Sequence, residues 1–323
     1  MKEVALGIDI GGTNTVFGCI DIDGNCLATG SISTQKHADI NDYLDELFAS
    51  IDTTLQASDE ELQIIGIGIG APNASYYTGT IENAANLRWK GSVPLVELVK
   101  ERLNVPVMVT NDANAAAMGE KVFGAAKGMN NFMVITLGTG LGSGIVVNGD
   151  ILYGHDGFAG EVGHMIVRKS GRECGCGRKG CLETYVSATG VKRTVYKLLA
   201  RHLGNSELRD VPFSQLTAKM VAEAAGRGDL VAQETFTYTA QMLGEVLANV
   251  VAVTSPEAIF LFGGLTKAGD ILFDPVTETL ENQLLDIYKG KIKVLPSGIE
   301  DNAAVLGAAA LIWNSTKSRM ECV

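Results

Sequence analysis

The chain has 323 residues, 46% of them apolar and 20% charged, enough for two domains with a core each. Its net charge of −11 argues against a nucleic-acid partner, which needs a basic face. A small nucleotide held by backbone amides stays possible. The longest uncharged apolar run, 303–313, is shorter than the roughly 20 residues a membrane helix needs. No signal-peptide cleavage site follows the apolar start at Val4, and the six cysteines, Cys19, Cys26 and Cys322 among them, show no evident pairing, so a reducing, cytoplasmic setting is expected.

Residues 4–10 form a short apolar run containing Asp9. Gly11-Gly12-Thr13-Asn14-Thr15 and a second run, 16–22, follow, which reads as strand, glycine-rich turn, strand. Such a turn lets backbone amides close on an anion, but Gly-Gly also makes plain hairpin turns, and this stretch alone does not separate the two. Asp23-Gly24-Asn25 is a further turn, and 26–33 a third strand. Ile40, Leu44, Leu47, Phe48 and Ile51 recur at helical spacing. Residues 64–69 read as a strand whose Gly66 and Gly68 predict close backbone packing on one face. The strand runs into Gly70-Ala71-Pro72-Asn73, and ligands sit at the C-terminal ends of strands in α/β sheets. A polar loop with Tyr76 and Tyr77 leads to 83–89. A helix over 95–103, a strand over 107–110 and an alanine-rich helix over 114–123 follow. Between the last two lies Asn111-Asp112-Ala113-Asn114. Asp112 is either a proton acceptor for a substrate hydroxyl or a helix cap; with Asn114 as the cap, Asp112 would be free.

The second half opens like the first, with an apolar run at 132–137, a turn Gly138-Thr139-Gly140-Leu141-Gly142-Ser143-Gly144 and a return strand at 145–147. Helices are expected near 186–202, 214–226 and 229–254. A strand over 258–262 ends at Gly263-Gly264. A helix near 268–288, a strand over 292–295 and a closing helix over 303–313 complete the chain, the last expected to pack back on the first half. The pattern is α/β, with the joint near 116–130, and the two glycine turns could hold one nucleotide's phosphates from two sides.

Glu161-Val162-Gly163-His164 is followed, after nine residues, by Cys174-Gly175-Cys176-Gly177-Arg178-Lys179-Gly180-Cys181-Leu182-Glu183. Three cysteines and one histidine within 18 positions match a Cys3His zinc set, and the three glycines let the backbone curl around it. A one-residue gap between Cys174 and Cys176 strains a disulfide, and the glycine-rich, charged surroundings do not resemble a core of buried thiols. His155 is also near, and spacing favours His164 only modestly. The zinc would fold a loop that presents Glu161, His164 and Glu183 to a substrate.

Together these motifs resemble the ROK family of sugar kinases over nearly the whole chain. The residues that carry the resemblance are Asp9-Ile10-Gly11-Gly12-Thr13, Asn111-Asp112-Ala113-Asn114, Gly138-Thr139-Gly140, Glu161-Val162-Gly163-His164 and the cysteine stretch to Glu183. Gly70–Asn73, Asn86–Trp89 and Tyr153–Phe158 are most like its glucose-phosphorylating members. The resemblance implies an actin-like ATPase or hexokinase-type two-domain fold with ribonuclease H-like halves. The expected domains are 1–117 plus 300–323, and 118–299. It implies ATP-dependent phosphorylation of glucose at the 6-hydroxyl with Asp112 as base. Asn86, Asn111, Asp112, Glu161, His164 and Glu183 would bind the sugar, and His164, Cys174, Cys176 and Cys181 a structural Zn²⁺. Gly11, Gly12 and Thr13 would form one phosphate turn and Gly138, Thr139 and Gly140 the other. Gly263 and Gly264 would lie on the adenosine side, and Asp9 would hold Mg²⁺. A homodimer or tetramer is also implied. Asn73 departs from the family, many of whose members carry glycine there; it would either reach the sugar or tolerate an unusual backbone angle. The main rival is a kinase for another hexose such as N-acetylmannosamine, N-acetylglucosamine or fructose. A sugar-responsive repressor is disfavoured by the first strand's start at Val4 and the acidic charge, and a non-catalytic sugar sensor by Asp9, Asp112 and both turns.

Overall fold

The first glycine-rich turn joins two long antiparallel strands, β1 (Lys2–Ile10) and β2 (Asn14–Ile20). In the computed structural model, which describes residues 1–299 and 302–320, they belong to a unit made of 1–129, 150–160 and the described residues from 297 on. A second unit holds 130–149 and 161–296.

In the first unit β3 (Cys26–Ser33), β4 (Leu62–Gly70) and β8 (Val107–Thr110) complete a sheet of order β3-β2-β1-β4-β8. β1, β4 and β8 are parallel, and their register sets Asp9 beside Gly70 and Gly70 beside Thr110. Their C-terminal ends therefore form one edge. Helix α1 (Ile40–Gln56) turns Tyr43, Leu44, Leu47 and Ile51 into a core shared with Leu6, Ile8 and Ile69, as the helical spacing predicts. A small sheet of β5 (Ala74–Ser75), β6 (Thr80–Glu82) and β7 (Ser92–Val93) precedes α2 (Leu95–Arg102).

Helices α3 (Asp112–Val122) and α9 (Ala303–Met320) pack on each other, and α9 packs on β1 and β4. The closing helix thus returns to the first half. Glycine makes the approach possible: a Cβ on Gly7 would lie 2.1 Å from the Val305 carbonyl oxygen, and one on Gly68 only 1.9 Å from that of Ala308. Buried Trp313 donates its indole N–H to Ile20 O at 3.1 Å. The segment 150–160, with a two-residue strand β11 (Asp150–Ile151), is fastened within this unit by Tyr77 Oη–H donating to Gly154 O (3.1 Å) and by Tyr153 stacked on Tyr76 at 4.2 Å.

In the second unit β9 (Phe132–Leu137), β10 (Leu141–Val147), β12 (Ala258–Phe262) and β13 (Lys293–Pro296) run in the order β10-β9-β12-β13. β10 is antiparallel to β9, while β12 is parallel to β9 and β13. Short α4 (Glu183–Val186), then α5 (Ala188–Leu199), α6 (Ala218–Gly226), α7 (Leu230–Thr254) and α8 (Asp270–Gln283) supply the helices. Met133, Ile135 and Leu137 share one core with Leu243, Leu247 and Val251 of α7.

Several boundaries differ from the sequence expectation. A division after 117 would cut α3, which continues to Val122 along α9, so the first unit extends to 129. The segment 150–160 and the chain from 297 join it through contacts remote in sequence, which local pattern does not register. The second return strand starts at Leu141, because Gly142 and Gly144 pair with Thr136 and Val134 despite their glycine character. Helix α3 is capped by Asn111, whose Oδ1 accepts from Asn114 N–H at 2.7 Å, and not by Asn114, which is buried within the first turn. Ser187 separates α4 from α5 by capping the latter.

Candidate functional site

In the first unit, polar residues gather where β1, β4 and β8 end. Gly70 lies beside both acidic residues: a Cβ there would be 3.6 Å from the Asp9 carboxylate oxygen Oδ1 and 3.8 Å from the backbone Cα of Asp112. Because Asn111 takes the cap, Asp112 is the first residue of α3, and its Oδ1 accepts from Ala113 N–H at 2.8 Å. Burial, reinforced by the negative charge of Asp112, pushes the Asp9 carboxyl up to about 6 from 3.8. Asp112 keeps a solvent-accessible face. The protein packed around it nevertheless raises its carboxyl above the ordinary range, against the lowering effect of the Ala113 amide.

The turn after β1 needs its glycines for space. A Cβ on Gly11 would lie 2.8 Å from Asn14 O, and one on Gly12 would lie 3.1 Å from Asn86 Cβ. Asn86 and Gly12 are therefore neighbours, 74 positions apart in a chain numbered 12 and 86. Gln35, which the sequence reading did not single out, links them: its Nε2 donates to Gly12 O and, at 3.0 Å, to Asn86 O. No local motif marks Gln35, since its partners are remote in sequence. Thr13 O accepts from Thr34 N–H at 2.9 Å. Asn73 has a left-handed φ of 52°, and its Nδ2 donates to Glu82 O at 3.0 Å. This fits the backbone role weighed for it, and its side-chain N–H already has a partner within the loop.

In the second unit, the turn between β9 and β10 closes with Gly138 N–H donating to Gly140 O at 3.1 Å. Glu183 stands against it, its Oε2 accepting from Leu141 N–H at 3.0 Å. Gly263, after β12, has φ 107°, and a Cβ on it would meet Leu137 O at 2.7 Å, so both conformation and space require glycine. Beyond it, Ala218, Ala222, Gly264, Leu265 and Lys267 line a cavity of about 330 Å³, within the size range of small-molecule sites.

The cysteine loop brings its four predicted ligands together. Sγ of Cys176 and Cys181 are 3.7 Å apart, as are His164 Nδ1 and Cys174 Sγ, and all four ligand atoms lie within 4.8 Å of one another. Ligands at zinc–sulfur and zinc–nitrogen distances around a tetrahedral centre are roughly 3.5–3.8 Å apart, so the donor set and its spacing fit a zinc ion. His155 is outside this cluster. Gly180, at φ 81°, passes so close to Arg168 that a Cβ would sit 1.8 Å from its carbonyl oxygen. His164 Nε2, the ring nitrogen away from Cys174, lies 3.9 Å from Glu161 Oε2, close but beyond direct hydrogen-bond distance. Val162 N–H donates to Ser143 Oγ at 3.2 Å, tying this stretch to β10.

A family model for the ROK family matches residues 5–315. The chain belongs to the ROK family. This ROK protein is 35% identical to a glucokinase from Halalkalibacterium halodurans, over 97% of this chain and 96% of that one. Among solved structures, a ROK family glucokinase from Streptomyces griseus in complex with glucose and AMPPNP matches with a TM-score of 0.80 at 32% identity, covering 95% of this chain and 98% of that one. A ROK family transcriptional regulator, a homologue of the E. coli MLC protein, matches with a TM-score of 0.87 at 27% identity, covering 98% of this chain and 78% of the regulator. The α/β hexokinase-type fold of the actin-like ATPase group, expected from the sequence, is the fold of this ROK protein. Among the described residues no helix is long and apolar enough to cross a membrane.

Proposed function

We propose that this ROK protein transfers the γ-phosphoryl group of ATP to the 6-hydroxyl of glucose, with Asp112 as general base. The observation that carries the reading is the acidic pair at the strand ends: Asp112 opens α3 beside Asp9, open to solvent, and its carboxyl is raised above its ordinary value by the protein packed around it, which makes it a stronger base. The similarity to glucokinases supports the substrate. Phosphoryl transfer asks a protein mainly for positioning and charge neutralisation. Asp112 accepts the proton of the 6-hydroxyl as that oxygen bonds to phosphorus and ADP departs. Asn86, Asn111, Glu161, His164 and Glu183 hold the remaining hydroxyls. The amides of Gly12 and Thr13, and of Thr139 and Gly140, would hold phosphate oxygens, while the N–H groups of Gly11 and Gly138 close their own turns on Asn14 O and Gly140 O. Asp9 would hold Mg²⁺, whose charge offsets that of the phosphates. Adenosine would lie along Gly263 and Gly264, toward the cavity lined by Ala218 and Leu265. His164, Cys174, Cys176 and Cys181 would hold a structural zinc.

The test is ADP release with ATP and Mg²⁺ across glucose, mannose, fructose, N-acetylglucosamine and N-acetylmannosamine. A preference in kcat/KM for glucose supports the reading, and a preference for an acetamido sugar or fructose moves the substrate while keeping the chemistry. Asp112→Asn should still bind sugar and lose at least about 100-fold in kcat; a variant that keeps most of its kcat removes Asp112 from the base role. The likeness to a transcriptional regulator favours a second reading, a sugar sensor. A sensor binds a sugar from the panel and releases no ADP.

A further inference from the structure

The segment 183–189, which directly follows the last cysteine of the metal loop, holds the second glycine turn at successive positions. Ala188 N–H donates to Gly138 O at 2.9 Å, and Thr189 Oγ1–H to Thr139 O at 3.4 Å. Glu183 Oε2 accepts from Leu141 N–H at 3.0 Å. The same carboxylate oxygen occupies the space a side chain at 140 would need, 2.4 Å from a Cβ built there. Its other oxygen, Oε1, lies 3.6 Å from Cys174 Sγ. One side chain therefore touches both a metal-loop cysteine and the glycine turn.

The metal loop is also tied to this segment by Arg172. Its guanidinium donates to Thr184 O (2.7 Å), Gly190 O (3.0 Å) and Thr194 Oγ1 (2.9 Å), and lies 4.6 Å over the Tyr185 ring. Its backbone N–H donates to Tyr185 Oη at 3.1 Å. The path from metal loop to glycine turn is thus short and contained in one unit, carried by the chain from Cys181 to Glu183 and by the hydrogen bonds of Arg172.

We propose that Glu183 is a positioning residue for the nucleotide, the strut through which the metal loop sets the backbone of the phosphate turn at 138–140. The inference rests on the reading of 138–140 as a phosphate turn. A cradle of backbone amides binds an anion well only when the amides are already aimed, and glycines leave this turn free to wander unless something outside it fixes them. A carboxylate next to phosphates would repel them, so charge is not what this position offers the nucleotide. What it offers is an acceptor for Leu141 N–H. Nucleotide affinity then depends on the metal loop, in addition to whatever the loop does for the sugar.

The experiment is calorimetric binding of MgAMPPNP without sugar to the full-length protein and two variants, with zinc content and melting curves recorded for each. Glu183→Ala removes the acceptor and should weaken nucleotide binding by roughly tenfold or more. Glu183→Gln keeps an acceptor and drops the charge, and should bind within about threefold of the parent or more tightly. Both should hold zinc like the parent, whereas stripping the metal with a chelator should weaken MgAMPPNP binding in the parent. Should Glu183→Ala fail to fold, Thr189→Ala, at an exposed position, tests the same bracing and should lose affinity to a smaller degree. An Ala variant that binds MgAMPPNP as tightly as the parent, with only its sugar KM raised, overturns the proposal and confines Glu183 to the sugar. A parent that binds no MgAMPPNP overturns the phosphate-turn reading itself, and the inference with it.

Discussion

Asp9→Asn should make the protein more stable and less active. The Asp9 carboxyl titrates at about 6 where an unperturbed one titrates at 3.8, because burial and the neighbouring Asp112 disfavour its charge. At 1.36 kcal/mol per pH unit, holding it ionised at neutral pH costs about 3 kcal/mol. That is an upper limit, since Asp9 keeps some solvent contact, and a gain of about 1–3 kcal/mol is expected on replacing it by a neutral isostere. The folded-state pKa is raised, so folded protein binds more protons than unfolded between 3.8 and about 6. The penalty is fully present above 6 and fades as pH falls toward 4. Urea denaturation of parent and Asp9→Asn at pH 7, 6, 5 and 4 reads this directly. The two curves should be furthest apart at pH 7 and converge in acid, while Mg²⁺-dependent ADP release is lost in the variant. A variant less stable than the parent at pH 7, or a gap that does not change with pH, would refute the electrostatic account of the site.

Two further outcomes follow from the packing. Cys181 is fully buried among its partner ligands, so Cys181→Ser should lose bound zinc, measured by atomic emission after gel filtration, and lower Tm. Equal Tm values with and without metal would deny the ion a structural role. Gly68→Ala should cost roughly 3 kcal/mol in urea denaturation, because the new methyl carbon meets the Ala308 backbone oxygen. Gly66→Ala, whose Cβ would meet the side-chain methyls of Ile312 first and the Pro106 carbonyl oxygen only at 3.2 Å, should cost less, and equal costs would remove the close backbone contact as the reason.

What the sequence alone determined was local. Helical spacing at Leu44, Leu47 and Ile51 fixed the buried stripe of α1, and Gly66 and Gly68 announced a close approach to the first sheet before the approaching helix was known. One histidine and three cysteines within 18 positions specified a cluster that could hold a metal ion, since short loops limit where their side chains can point. Tertiary structure decided what depends on partners far along the chain. It gave the cap of α3 to Asn111 rather than Asn114, seated Gln35 between Gly12 and Asn86, and carried the first unit past 117 and across to 150–160. It also set Glu183 against the amide of Leu141, 42 positions away. Periodicity and spacing report a residue's neighbours on its own element. A hydrogen bond between remote segments depends on how sheets and helices stack, and no short stretch of sequence records that.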